Sequence, residues 1–206
     1  MKVVIATHNK DKLKELKKGL SDLNIEILDL SHFPEIGEIE ETGKTLKENA
    51  YIKAKHVYDR TGLPSIADDT GLEVDALDGA PGVYAARFAG EHCTYQDNID
   101  KMLDVMKNIK EKDRGATFKT VIAFIDGNKE LFSVGKVKGL ISKKNKKKLA
   151  GFGYDPIFYV VEERKTFSEM STDYKNKISH RGLAIKNFKL LLNSYLKDIQ
   201  TEKESA

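Results

Sequence analysis

Within its first twenty residues the chain changes hydrophobic period from strand-like to helical. Lys2 to Ala6 reads as an extended apolar run, and Thr7-His8-Asn9-Lys10-Asp11-Lys12 is a polar loop. Leu13, Leu16 and Leu20 then recur at helical spacing. A strand that passes through a short loop into an amphipathic helix is half of a βαβ unit, which constrains the chain to the α/β class. The predicted helix start aims backbone N–H groups and a positive dipole end into the loop, where Lys10 and Lys12 add charge and Thr7 or Asn9 offers a cap. This segment fits a phosphate cradle and equally an ordinary capped helix. Neither G-x-x-x-x-G-K-[ST] nor G-x-G-x-x-G occurs, which argues against a Walker-type ATPase and a dinucleotide dehydrogenase.

The alternation continues. Thr45-Leu46-Lys47-Glu48 is a capping-box signature, Leu46, Ala50, Ala54 and Val57 form the buried stripe behind it, and Gly62 and Pro64 close the helix. Asn98 to Ile109 predicts another helix through Ile99, Leu103 and Met106. Thr117–Ile125 and Leu131–Val137 predict a hairpin around Asp126-Gly127-Asn128. Gly182–Leu196 predicts the last helix. A mixed sheet follows, because βαβ units and a hairpin both occur. The expected organisation is one domain over 1–196, with a polar tail over 197–206 that frays.

Composition narrows the function classes. The 206 residues are 40% hydrophobic, enough for one substantial core. No run reaches membrane-span length, and Met1-Lys2-Val3-Val4-Ile5 is too short for a signal peptide, so a cytoplasmic protein without a membrane partner is expected. The lone Cys93 excludes an internal disulfide, and His8, His32, His56, His92 and His180 are too scattered for zinc. A net charge of +3 does not call for nucleic acid. Lys143, Lys144, Lys146, Lys147 and Lys148 have no interleaved aromatics and read as a solvated loop.

The chemistry concentrates in a few stretches. In Ile66-Ala67-Asp68-Asp69-Thr70-Gly71-Leu72 an apolar run feeds into adjacent carboxylates. At the carboxyl end of a strand such a pair sits where ligands bind and suits Mg²⁺; as a surface turn it would be unremarkable in composition. On a strand, Asp68 and Asp69 face opposite sides. Gly151-Phe152-Gly153-Tyr154-Asp155-Pro156 offers close backbone approach and an aromatic face for a base, or a tight turn with buried rings. Lys175-Asn176-Lys177-Ile178-Ser179-His180-Arg181-Gly182 places donors before the last helix, for a phosphate, a base edge or a Ser179 cap. Glu38, Glu40 and Glu41 precede the second helix, either complementing its dipole or holding a metal.

Taken in order, Thr7-x-Asn9-x-x-Lys12, Glu40-Glu41-Thr42-Gly43, Glu48-Asn49-Ala50-x-x-Lys53-Ala54, Ala67 to Leu72, Gly79-Ala80-Pro81-Gly82-Val83-Tyr84, Phe152 to Pro156 and Ile178 to Arg181 resemble the inosine triphosphate pyrophosphatase family. The resemblance covers nearly the whole chain, to about residue 196. Thr70 stands where many relatives have Ser, and His8 where many have Gly. The resemblance implies an elongated mixed β-sheet flanked by helices, with two lobes around a central cleft, and a homodimer. It implies Mg²⁺-dependent hydrolysis of noncanonical purine nucleoside triphosphates (ITP, dITP, XTP) to a monophosphate and pyrophosphate. On the same resemblance Glu40 and Asp69 ligate Mg²⁺, with Glu41 and Asp68 as neighbours, and Asp69, Asp68 and Lys12 are catalytic. Substrate is held by Thr7, His8, Asn9, Lys10, Asp11, Lys12, Lys53 and Thr70, and by Phe152, Gly153, Tyr154, Asp155, Lys175, His180 and Arg181.

Base choice follows from hydrogen-bond polarity. A 6-oxo purine presents an acceptor where adenine presents a donor, so a pocket of donors at Lys175, His180 and Arg181 accepts the former and rejects the latter. Two other readings compete. A Maf-like pyrophosphatase, or a diphosphatase of ordinary deoxynucleoside triphosphates, does not share the Phe152–Asp155 and Ser179–Arg181 pattern. A non-catalytic nucleic-acid module leaves Asp68 and Asp69 unexplained.

Overall fold

The computed structural model of the protein describes residues 1–146 and 151–204, the last three of these by backbone alone. Lys147 and Lys148 of the basic run lie outside the described residues. The chain packs as two compact units. One comprises Met1–Asp69, Val121–Gly135 and the chain from Arg181 onward; the other comprises Thr70–Thr120 and Lys136–His180.

The first unit opens as its periodicity dictates. Strand β1 (Lys2–Ile5) leads into α1 (Lys10–Gly19), and Asn9 is the cap, its side chain accepting from the backbone N–H groups of Asp11 and Lys12. Strand β2 (Glu26–Asp29) returns parallel to β1. Helix α2 (Leu46–Thr61) begins at the Thr45–Glu48 capping box and stops at Gly62, whose φ of +65° requires no Cβ. Strand β3 (Ser65–Val74) pairs parallel with β1. It runs straight through Asp68, Asp69, Thr70 and Gly71, so the carboxylates sit in mid-strand and not at its end or in a turn. The apolar alternation resumes at Leu72 and Val74, which anchors the strand beyond the acidic pair.

In the second unit β4 (Pro81–Gly82) pairs antiparallel with β3. Helix α3 (Tyr95–Val105) starts three residues earlier than the apolar spacing predicts, because Thr94 and Asp97 form a capping box ahead of Asn98. Strands β5 (Gly115–Asp126) and β6 (Lys129–Ile141) are the expected hairpin, joined at Gly127–Asn128, and β3, β5 and β6 each contribute residues to both units. Strands β7 (Phe158–Val160) and β8 (Lys165–Thr166) continue antiparallel, giving the order β2–β1–β3–β5–β6–β7–β8. The sheet is mixed, as expected.

Helix α4 (Thr172–Ile178), capped by Ser171, takes in the first of the donors that the sequence places before the last helix; Ser179 closes it. Helix α5 (His180–Glu204) runs past the predicted end at Leu196, since residues 197–204 contain no Gly or Pro and favour helix. The first unit's core gathers Val3, Ile5, Leu16, Ile66, Phe124 and Phe188. The second gathers Val74, Met102, Phe118, Tyr154, Phe158 and Phe167.

Candidate active site

The first unit buries a chain of opposite charges. Asp68, with 1% of its surface exposed, meets Lys12 Nζ at 3.5 Å and Arg181 Nε at 3.1 Å through the same Oδ2. Arg181 Nη1 donates to Glu15 Oε2 at 2.6 Å. Burial alone would raise the Asp68 pKa, but Lys12 and Arg181 more than offset it and hold the carboxylate well below its usual range. Lys12 is pushed down by burial. Arg181, despite its own burial, is kept charged by Asp68 and Glu15.

Asp69 lies in a different electrostatic setting. Lys53 Nζ stands 3.4 Å from its Oδ1 and 2.7 Å from Glu41 Oε1, so one ammonium spans two carboxylates. Burial raises the Asp69 pKa, opposed by Lys53. Lys53 would be lowered by burial, yet Asp69 and Glu41 leave it raised. Asp69 Oδ2 is buried and has no hydrogen-bond partner among the described residues. Adjacent aspartates on one strand thus acquire opposite shifts, because Lys12 and Arg181 outweigh burial at Asp68 while burial prevails at Asp69.

Loops complete this group. Asn9 caps α1 and Thr7 Oγ1 accepts from Asn9 N–H at 3.2 Å. His8 Nε2 lies 2.9 Å from the Gly37 carbonyl. Lys10 and Asp11 are exposed on the first turn. Gly43 N–H donates to Asn49 Oδ1 at 2.8 Å, and a Cβ at Gly43 would fall 2.6 Å from that oxygen, which accounts for glycine after Glu40-Glu41-Thr42. Glu40 is exposed, and it is Glu41 that meets Lys53.

Among the described residues no three His, Cys, Asp or Glu groups converge as a self-sufficient metal cage. Mg²⁺ does not need one: it binds through one or two carboxylates and completes its shell with substrate phosphates and water. The unpartnered Asp69 Oδ2 is a hard oxygen donor of that kind, and the residues present fit the ion.

The second unit holds the remaining predicted residues. Lys175 Nζ sits 2.7 Å from Asp155 Oδ2 and 4.8 Å from the Phe152 ring centroid. Asp155 Oδ2 also accepts from Phe152 N–H at 2.9 Å. Gly153 adopts φ +58°, and Tyr154 donates its hydroxyl to the Ala85 carbonyl at 2.9 Å from within the core. His180 stacks on Phe118 at 4.3 Å and 11°. Thr70 Oγ1 pairs with Thr120 Oγ1 at 2.7 Å.

Three participants escaped the sequence reading: Glu15, Phe118 and Thr120. Glu15 shares the inward face of α1 with Leu16, a placement that helical spacing from Lys12 indicates once the helix start is fixed. Nothing local marks Phe118 or Thr120, which matter through contacts distant in sequence.

The fold and site together define a mixed α/β protein with buried carboxylates interleaved with two lysines and an arginine. The chain belongs to the Ham1 family, whose model matches residues 3–191. It is 45% identical over 189 residues to a dITP/XTP pyrophosphatase from Thermoanaerobacter pseudethanolicus, covering 92% of this chain and 95% of that one. A dITP/XTP pyrophosphatase from Clostridium perfringens is 44% identical over 205 residues, covering 95% and 99%. Among solved structures, a HAM1 protein from Coxiella burnetii superposes with a TM-score of 0.87 at 40% identity, over 94% of this chain and 99% of that one.

Proposed function

We propose that this protein is a Mg²⁺-dependent nucleoside triphosphate pyrophosphatase that hydrolyses noncanonical purine nucleotides such as dITP, XTP and ITP between the α- and β-phosphates. The reading is carried by the acidic pair Asp68–Asp69, one carboxylate fixed by Lys12 and Arg181 and the other sharing Lys53 with Glu41.

Lys12, Thr7 and Asn9 bind triphosphate, with Lys53 adding charge. Asp69 takes the proton from the attacking water. The water oxygen bonds to the α-phosphorus and the bond to the bridging oxygen breaks, releasing pyrophosphate. Bound Mg²⁺, held by Asp69 with a glutamate of the Glu40–Glu41 pair, would supply Lewis acidity and neutralise phosphate charge. Arg181, with Asp68 and Glu15 on its guanidinium, positions Asp68 in this reading. Base recognition falls to Phe152 by stacking and to Lys175 and His180 as donors to a 6-oxo group.

No helix among the described residues is long and apolar enough to cross a membrane. A cytoplasmic homodimer cleansing the nucleotide pool fits this reading. Pyrophosphate release from ITP, dITP and XTP against GTP and ATP, with and without Mg²⁺, tests it. Turnover of ITP, dITP and XTP far above that of ATP, lost on chelation, is expected; equal turnover of ATP would defeat the base assignment.

A further inference from the structure

Phe152 lies between Gly151 and Gly153, both with left-handed backbone, φ +109° and +58°. Its chain neighbours therefore offer no side chain to set the ring, and restraint has to come from residues distant in sequence. Lys175 supplies part of it, its ammonium 4.8 Å from the ring centroid and itself fixed by Asp155. Another part is Tyr95, whose ring centroid lies 5.9 Å from that of Phe152 with the planes inclined by 41°. That separation falls in the range where aromatic pairs attract in defined orientations.

Tyr95 is the first residue of α3, and the Thr94–Asp97 capping box fixes the helix start that carries it. It is 42% exposed, a poor position for a core residue. Its ring meets that of Phe152, in the loop that also contains Asp155.

We propose that Tyr95 is a positioning residue for the purine base: it holds the Phe152 ring in stacking orientation, and so tightens binding of the base without touching the phosphates. This rests on the function proposed above and names a residue outside the motifs that led to it.

The test is titration calorimetry on the full chain with IMP, which carries the base, and tripolyphosphate, which does not. Wild type, Tyr95→Phe, Tyr95→Ala and Tyr95→Leu are compared, with thermal melts of each. Removing the ring is expected to weaken IMP roughly 3- to 10-fold, the range an aromatic pair supports. Tripolyphosphate affinity stays unchanged in every variant, and Tyr95→Phe binds IMP as wild type does. In kinetics, KM for ITP rises in the Ala and Leu variants while kcat holds. Wild-type IMP affinity in both ringless variants overturns the inference. So does a parallel loss of IMP and tripolyphosphate, the signature of a general folding defect, or a Tyr95→Phe variant as weak as Tyr95→Ala. Absence of IMP binding to the wild type overturns the nucleotide reading itself, and this inference with it.

Discussion

Asp68 and Asp69 are chemically identical and adjacent, yet their surroundings divide the labour between them. Asp68 is fixed by two cations at one oxygen, while Asp69 shares its lysine with Glu41 and keeps Oδ2 open. Asp69→Asn keeps the shape and removes the base, so turnover should fall roughly 100- to 10,000-fold with the fold intact. Near-normal pyrophosphate release from this variant at saturating Mg²⁺ would refute the role. Arg181 calls for a different outcome. Its guanidinium is 2% exposed and bridges Asp68 to Glu15, so Arg181→Ala leaves two buried carboxylates without their shared cation. A loss of about 3–5 kcal/mol in denaturant unfolding is expected, and ITP and ATP hydrolysis should fall in proportion. Arg181→Lys should not restore stability, because a single ammonium cannot replace a fork that spans two acceptors. A selective change in ITP-to-ATP preference would return Arg181 to the base.

At the scale of elements, termini do much of the placing. Asn9 fixes where α1 begins and thereby puts Lys12 and Glu15 on its inward face; Thr94 does the same for Tyr95 on α3. Asp29, at the end of β2, accepts from Lys17 of α1 and from Ser31, and these bonds hold its pKa well below the usual carboxylate range. A carboxyl depressed in the folded state contributes stability above its unfolded pKa of about 3.9, and loses it as pH falls below that value. Asp29→Asn should therefore melt below wild type at neutral pH, with the gap closing under acid titration below about pH 4. Thermal melts across that range decide it; a gap independent of pH would assign the effect to packing.

For the molecule as a whole, Mg²⁺ held at Asp69 as proposed would couple metal binding to stability. Any ion that binds the folded chain and not the unfolded one raises its stability, by about 2.7 kcal/mol at 100 times the dissociation constant. Mg²⁺ is expected to raise the melting temperature of the wild type measurably and that of Asp69→Asn little or not at all. An equal rise in both would place the ion elsewhere.

Much of this was legible in the residue order because its causes are local. The Thr45–Glu48 box, the Leu13–Leu16–Leu20 stripe and the Gly127 turn each act within a few residues, and their elements form where expected. The ordered blocks from Thr7 to Arg181 likewise identified the family before any contact was known. Local signals failed where a distant partner decides. Strand β3 passes through two aspartates that read as a strand end, because the residues beyond them are also bound into a core. Arg181 stands next to His180 in the chain, yet it turns to Glu15 and Asp68 while His180 stacks on Phe118. Opposite pKa shifts for neighbouring aspartates arise because burial prevails at Asp69, while Lys12 and Arg181, brought in from two separate helices, outweigh it at Asp68. Periodicity and caps are properties of a segment. Burial and charge pairing are properties of the packed chain, and only the tertiary structure assigns them.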